Sequence, residues 1–225
     1  MSTGGGAAGA GTGGYWATLG FETSSVDFCE GNFESSYYIA EPLNTLSSVP
    51  LVVLGVFGVL RGNAARRAPK GGWEHAAFAW SYALLAAVGS GSLALHATLI
   101  APGQAADEVP MLLLNLVLLF IICELESGTA ALRRPWLPLA FSAVGVGAVA
   151  VYLRYRAFYS SFLTLYAISV LCVVGGSARL ALQPRTNSLG ERARINLLRP
   201  LFISAITSYA VGGLIAWLLE FNYCA

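Results

Sequence analysis

The sequence predicts an all-α membrane protein with six transmembrane helices, and three observations carry that prediction. Of 225 residues, 56% are hydrophobic and only 11% charged, where a soluble domain carries roughly 25% charged residues. Six apolar stretches recur, each close to the ~20 residues a helix needs to cross ~30 Å of hydrocarbon. The basic residues fall almost entirely on one side of those stretches. A soluble fold of this size lacks the charge to cover its surface, and the mean hydropathy is +0.64. A bilayer removes that requirement, because lipid solvates the side chains while each helix satisfies its own backbone.

Residues 1–14, MSTGGGAAGAGTGG, hold no apolar run and no charge. They lack the basic and hydrophobic regions of a signal peptide and read as a disordered Gly/Ala-rich tail. That leaves 15–225 as one transmembrane domain, with targeting expected from its first helix. The predicted spans are 43–60, 76–100, 109–125, 135–153, 158–182 and 200–219. Breakers separate them: Gly71-Gly72, Pro102-Gly103, Pro135 and Gln183-Pro184. The third span ends at Glu124 and Glu126, whose carboxylates are expected to reach out to the interface. Before it, residues 99–106 are expected to form the turn that returns the chain, with Asp107 opening the next helix.

Orientation follows from the charges. Arg61, Arg66, Arg67, Lys70, Arg133, Arg134, Arg179, Arg185, Arg192, Arg194 and Arg199 lie on one side; only Arg154 and Arg156 lie on the other. The positive-inside rule makes the first side cytosolic. The N-terminus, the 101–108 loop and the C-terminus are then lumenal. Glu22, Asp27, Glu30, Glu34 and Glu41 gather before the first span and Asp107 and Glu108 before the third, all on the lumenal side. Acidic residues do not set topology, so their clustering points to a site. Cys29 and Cys224 share that compartment, which permits a disulfide; two free thiols are the alternative. Cys123 and Cys172 fall inside spans.

Three constellations offer chemistry. Asp27-Phe28-Cys29-Glu30-Gly31-Asn32, with Glu41 nearby, supplies hard oxygen ligands for calcium, although the order is not that of an EF-hand and a solvated acidic segment has the same composition. Ser92 and His96 are four residues apart and share a helix face. An imidazole within a span faces either a cavity or a partner on a neighbouring helix. Asp107 either complements the dipole of its helix or serves as a base beside His96.

Together these residues resemble the alkaline ceramidase family of membrane hydrolases. The resemblance is carried by Gly14-Tyr15-Trp16, by Val26 through Asn32, by Tyr37 through Thr45, by Gly91 through Leu99, by Asp107 through Met111 and by Trp217 through Cys224. It implies a seven-helix bundle with a lumenal N-terminus. It also implies calcium bound by Asp27, the Phe28 carbonyl, Glu30, Asn32 and Glu41, a catalytic zinc on His96, catalytic roles for Ser92 and Asp107, and a Cys29–Cys224 disulfide. The implied reaction is zinc-dependent hydrolysis of ceramide to sphingosine and a fatty acid, in an endoplasmic reticulum or Golgi membrane, with no nucleic-acid partner.

One departure stands out. The family's other two zinc ligands form a His-x-x-x-His pair on a seventh helix, which this chain does not contain. A catalytic zinc takes three protein ligands and a water. The other histidine, His75, precedes His96 by twenty-one residues, roughly 30 Å along a helix at 1.5 Å per residue. A set of His96, Asp107 and Glu220 is poor in the nitrogen that zinc prefers. The 225-residue chain is therefore expected to be an incomplete, inactive form of the enzyme. The alternative is a non-catalytic, calcium-stabilised relative that binds lipid. No inverted repeat or row of intramembrane charges suggests a transporter.

Overall fold

The computed structural model describes residues 14–66, 73–125, 135–155 and 159–182, with 203, 204 and 207. They form a 3-10 turn at Tyr15–Leu19 and six helices: α1 (Pro42–Ser47), α2 (Val49–Arg66), α3 (Trp73–Thr98), α4 (Ala101–Leu125), α5 (Leu137–Tyr155) and α6 (Tyr159–Leu182). Among the described residues the one β-type contact is a single bridge between Thr23 and Ile100. Five stretches are long and apolar enough to cross a membrane: Pro42–Gly62, His75–Thr98, Ala101–Glu124, Leu137–Tyr155 and Phe162–Leu180. The predicted tail and most of the predicted span at 200–219 lie outside the described residues.

Local chemistry explains where the elements break. Pro50 lacks an N–H and cannot donate to Leu46 O, and the first span divides into α1 and α2 at Ser48. The Ser48 amide turns to Thr45 O (3.3 Å) and Leu51 N donates to Ser48 O (3.2 Å). Helix α1 begins on Pro42, where a missing N–H costs nothing. Its next two amides, Leu43 and Asn44, each donate to one oxygen of the Glu30 carboxylate, at 2.8 Å.

The expected 99–106 turn is corrected to two residues. Helix α4 starts at Ala101, and Asp107 lies in its second turn. Pro102 was read as a breaker, yet in a first turn proline needs no partner. Leu99 adopts φ 50, the left-handed conformation that closes a helix end, and its amide returns to Leu95 O at 2.7 Å.

The carbonyls orphaned at the end of α3 find donors in the N-terminal segment. His96 O accepts from Glu41 N (2.9 Å), Ala97 O from Ala40 N (2.9 Å) and Leu99 O from Ser24 N (2.8 Å). Ala101 N, at the start of α4, donates to Glu22 O at 2.8 Å. Further out, Trp16 Nε1 donates to Tyr38 O at 2.7 Å. Residues 22–41 thus lie as a strap across the α3–α4 turn.

Helix α3 packs against α2 on one side and α4 on the other, and α4 goes on to meet α5 and α6. Small residues set the spacing. A Cβ on Gly89 would stand 2.7 Å from Val52 N, and one on Gly91 only 2.0 Å from Ala106 O. Pro110 lies inside α4 and removes the amide that would bond that same Ala106 carbonyl. Beyond the turn, Leu112, Tyr152 and Phe162 form a buried cluster joining α4, α5 and α6, and Asn115 Nδ2 donates to Ser169 Oγ across α4 and α6 at 2.8 Å. Glu124 corrects a second expectation. It is 1% exposed, covered by protein instead of reaching an interface.

Candidate functional site

The site lies where α1, the ends of α3 and α4, and the strap meet. His96 is in the last turn of α3, and its Nδ1 stands 2.5 Å from Glu41 Oε2. Glu41 is fully buried and precedes α1, held by its own amide on His96 O. A carboxylate accepts, so Nδ1–H donates to it, and in the neutral imidazole Nε2 then keeps its lone pair. Phe28 lies against the other side of the imidazole, with ring centroids 4.7 Å apart.

One turn earlier on α3, Ser92 Oγ stands 2.9 Å from Ser48 Oγ. Ser48 is 4% exposed, and its hydroxyl donates to Asn44 O at 3.0 Å. That carbonyl is available because the Ser48 amide has turned to Thr45. Glu41 and Ser48, seven residues apart, therefore meet His96 and Ser92, four apart, across an antiparallel contact. This pairing was the part the residue pattern did not reveal; the two-turn spacing from Glu41 to Ser48 was its one sequence signal.

Asp107 faces this group from α4. A Cβ on Gly91 would stand 2.5 Å from Asp107 N, so the Asp107 backbone abuts the residue before Ser92. His96 is within electrostatic range of its carboxylate. Ser92, His96 and Asp107 are thus gathered at one end of the α3–α4 pair. His75 belongs to the opposite end of α3.

A second polar group was missed by sequence reading. Gln104 is 4% exposed. Its Oε1 accepts from Ser25 N (2.8 Å), and its Nε2 donates to Ser25 Oγ (2.9 Å) and to Glu108 Oε1 (2.9 Å). Glu108 is also 4% exposed, and Tyr152 supplies it with a further side-chain hydrogen bond. Gln104 and Glu108 share a face at a four-residue spacing, which was visible; the Ser25 partner, seventy-nine residues away, was not.

The residues expected to hold calcium lie along the strap, its three carboxylates (Asp27, Glu30 and Glu41) not grouped to hold an ion in this structure, and they differ in how far they are engaged. Asn32 Oδ1 and Glu41 Oε1 are buried oxygens with no hydrogen-bond partner, as a hard cation would require of its ligands. Asp27 Oδ1 accepts from Asn32 Nδ2 (2.8 Å) and Phe28 N (3.0 Å). Glu30 is engaged at both oxygens by α1, with lone pairs remaining. The zinc set does not fit the described residues. His96 offers one nitrogen, and no three His, Cys, Asp or Glu side chains converge to hold a metal among them. Cys172 is a free thiol, while Cys224 lies outside the described residues, leaving its pairing with Cys29 for proposal.

Comparison with known proteins places this arrangement. The sequence profile named Ceramidase matches residues 20–225. The chain is 32% identical over 113 residues to alkaline ceramidase 3 of Mus musculus, covering 50% of this chain and 38% of that protein. It is 33% identical over 108 residues to an alkaline ceramidase of Arabidopsis thaliana, covering 48% and 38%. Over 216 residues it is 26% identical to an alkaline ceramidase of Saccharomyces cerevisiae, covering 92% and 64%. The matched stretches thus span from 38% to 64% of those relatives' lengths. With a family profile extending over nearly the whole chain, and the site built from the stretches that carry the likeness, this chain belongs to the ceramidase family.

Proposed function

We propose that this chain acts on ceramide within the membrane, hydrolysing its amide to sphingosine and a fatty acid. The observation that carries the reading is the gathering of Ser92, His96 and Asp107 at one end of the bundle, where Ser92 meets Ser48 and His96 meets Glu41. Asp107 takes a proton from the attacking water and passes it to the leaving nitrogen. Ser92 donates a hydrogen bond to the carbonyl oxygen as negative charge develops there. Glu41 fixes the imidazole so that Nε2 is presented as a lone-pair donor. The hydrolysis balances: water supplies the hydroxyl of the acid and the hydrogen of the amine.

Zinc dependence belongs to the family reading. Only one corner of such a site, His96 Nε2, is offered by the described residues, so no step above passes through a metal. Calcium is proposed to bind at Asp27, the Phe28 carbonyl, Glu30, Asn32 and Glu41, supported by the two partnerless buried oxygens. It would hold the strap against α3. The reading also includes a sixth span at 200–219, a lumenal N-terminus, a Cys29–Cys224 disulfide, and residence in an endoplasmic reticulum or Golgi membrane. The charge asymmetry supports the orientation. A second reading is a non-catalytic relative that is stabilised by calcium and binds lipid, supported by the two partnerless buried oxygens of the strap.

Reconstitution in vesicles containing ceramide, with release of sphingosine and fatty acid followed by mass spectrometry, decides between them. Equimolar release that falls about a hundredfold or more in Asp107→Asn supports hydrolysis. Saturable ceramide binding without release supports the second reading and refutes the first.

A further inference from the structure

Ser48 has no role in the reading above except contact with Ser92, and its hydrogen bonding assigns it one. A serine hydroxyl has one hydrogen and two lone pairs. Ser48 uses its hydrogen on Asn44 O, at 3.0 Å. The 2.9 Å contact between the two hydroxyls is then made with the hydrogen of Ser92. In this arrangement Ser92 is a donor to Ser48 and presents only lone pairs elsewhere. A Ser92 that donates to a substrate oxygen must first release Ser48. The release has a ready route, because Ser47 Oγ also donates to Asn44 O, at 2.8 Å. That carbonyl stays satisfied when the Ser48 hydroxyl turns toward Ser92. Once turned, Ser48 donates to Ser92 and strengthens it as a donor in a hydrogen-bonded chain.

We propose that Ser48 is a positioning residue that sets the direction of the Ser92 hydroxyl, by reversing the hydrogen bond between them. The proposal rests on the assignment of Ser92 to the substrate carbonyl, and it turns on the juxtaposition of two serines brought together by the Pro50 break. The break also fixes the placement: it frees the Asn44 carbonyl and leaves Ser48 buried against α3.

Two arms test it on the intact chain in lipid nanodiscs. The first reads thermal unfolding of Ser48→Ala, Ser92→Ala and the double variant. A midpoint loss in the double variant smaller than the sum of the two single losses is expected, since either change alone removes the shared bond. Additive losses overturn the proposal, whatever the chain catalyses. The second arm reads ceramide hydrolysis. Ser48→Ala is expected to lower kcat about three- to tenfold, the worth of one neutral hydrogen bond, with KM unchanged. Ser48→Thr is expected to restore it, and Ser48→Ala is expected to have no effect in a Ser92→Ala background. An unchanged kcat in Ser48→Ala, where Ser92→Ala lowers it, overturns the positioning role. Absence of turnover in the parent chain defeats the proposed function and with it the positioning role of Ser48, while additive losses in the unfolding cycle overturn only the Ser48–Ser92 bond on which that role depends.

Discussion

The two ends of the α3–α4 pair are built on different terms. At the turn, Glu41, Ser48, Gln104 and Glu108 are buried polar side chains, tied by hydrogen bonds to a strap from the N-terminal region. Gly91 lets the two backbones touch there. Away from the turn, α3, α4 and α5 line a groove of about 810 Å³ bordered by Ala77, Trp80, Leu113, Phe120, Phe141 and Val149. Hydrocarbon fills such an opening without leaving a polar group unsatisfied. The same two helices thus meet backbone to backbone at the turn and border an apolar groove farther along. The candidate site gathers at the turn, since hydrogen-bonding groups need fixed geometry and apolar contact does not.

Substitutions can break or sharpen that contrast. Gly91→Leu is expected to have the largest effect, because its Cβ meets the backbone of Ala106 and Asp107 and neither can yield. A loss of about 3 kcal/mol or more is expected, read as the failure to recover folded protein from detergent; a stable variant would abolish the distinction between the ends. Glu30→Ala removes both caps of α1 and is expected to cost about 1–2 kcal/mol, or roughly 2–8 °C in unfolding midpoint for a chain of this length. If capping is the source, the cost persists when calcium is chelated; a cost seen only with calcium present assigns Glu30 to the ion. Gly145→Ala, in the groove, is expected to change stability by less than about 0.5 kcal/mol. Its Cβ meets only the tips of Leu113 and Leu116, at 3.2 and 3.4 Å. A loss comparable to that of Gly91→Leu would show the groove to be packed as tightly as the turn.

What the sequence revealed, and what it hid, follows the same division. Spans are written in composition, so five of the predicted stretches reappear as helices. The one-face relation of Ser92 to His96 is a property of any helix and was legible at once. The start of α4 was misread because Pro102-Gly103 signals a turn in most settings, whereas a proline in a first helical turn gives up an amide that had no partner. Glu124 was misread because composition records a carboxylate and not the neighbours that cover it. The pairs Glu41–His96, Ser48–Ser92 and Ser25–Gln104 join residues fifty-five, forty-four and seventy-nine positions apart. No local periodicity encodes contacts of that separation; they appear only when the helices are placed side by side.

The strap also has a consequence in time. Its residues are synthesised before their partners, which run from His96 to Gln104 and follow by some fifty-five to eighty positions. At roughly 5–20 residues per second the wait lasts several seconds. During that interval Glu22, Ser24, Ala40 and Glu41 have no helix end on which to settle. The strap thus settles only after α3 and the start of α4 have been made, and the site becomes whole only when the α3–α4 turn meets the waiting segment.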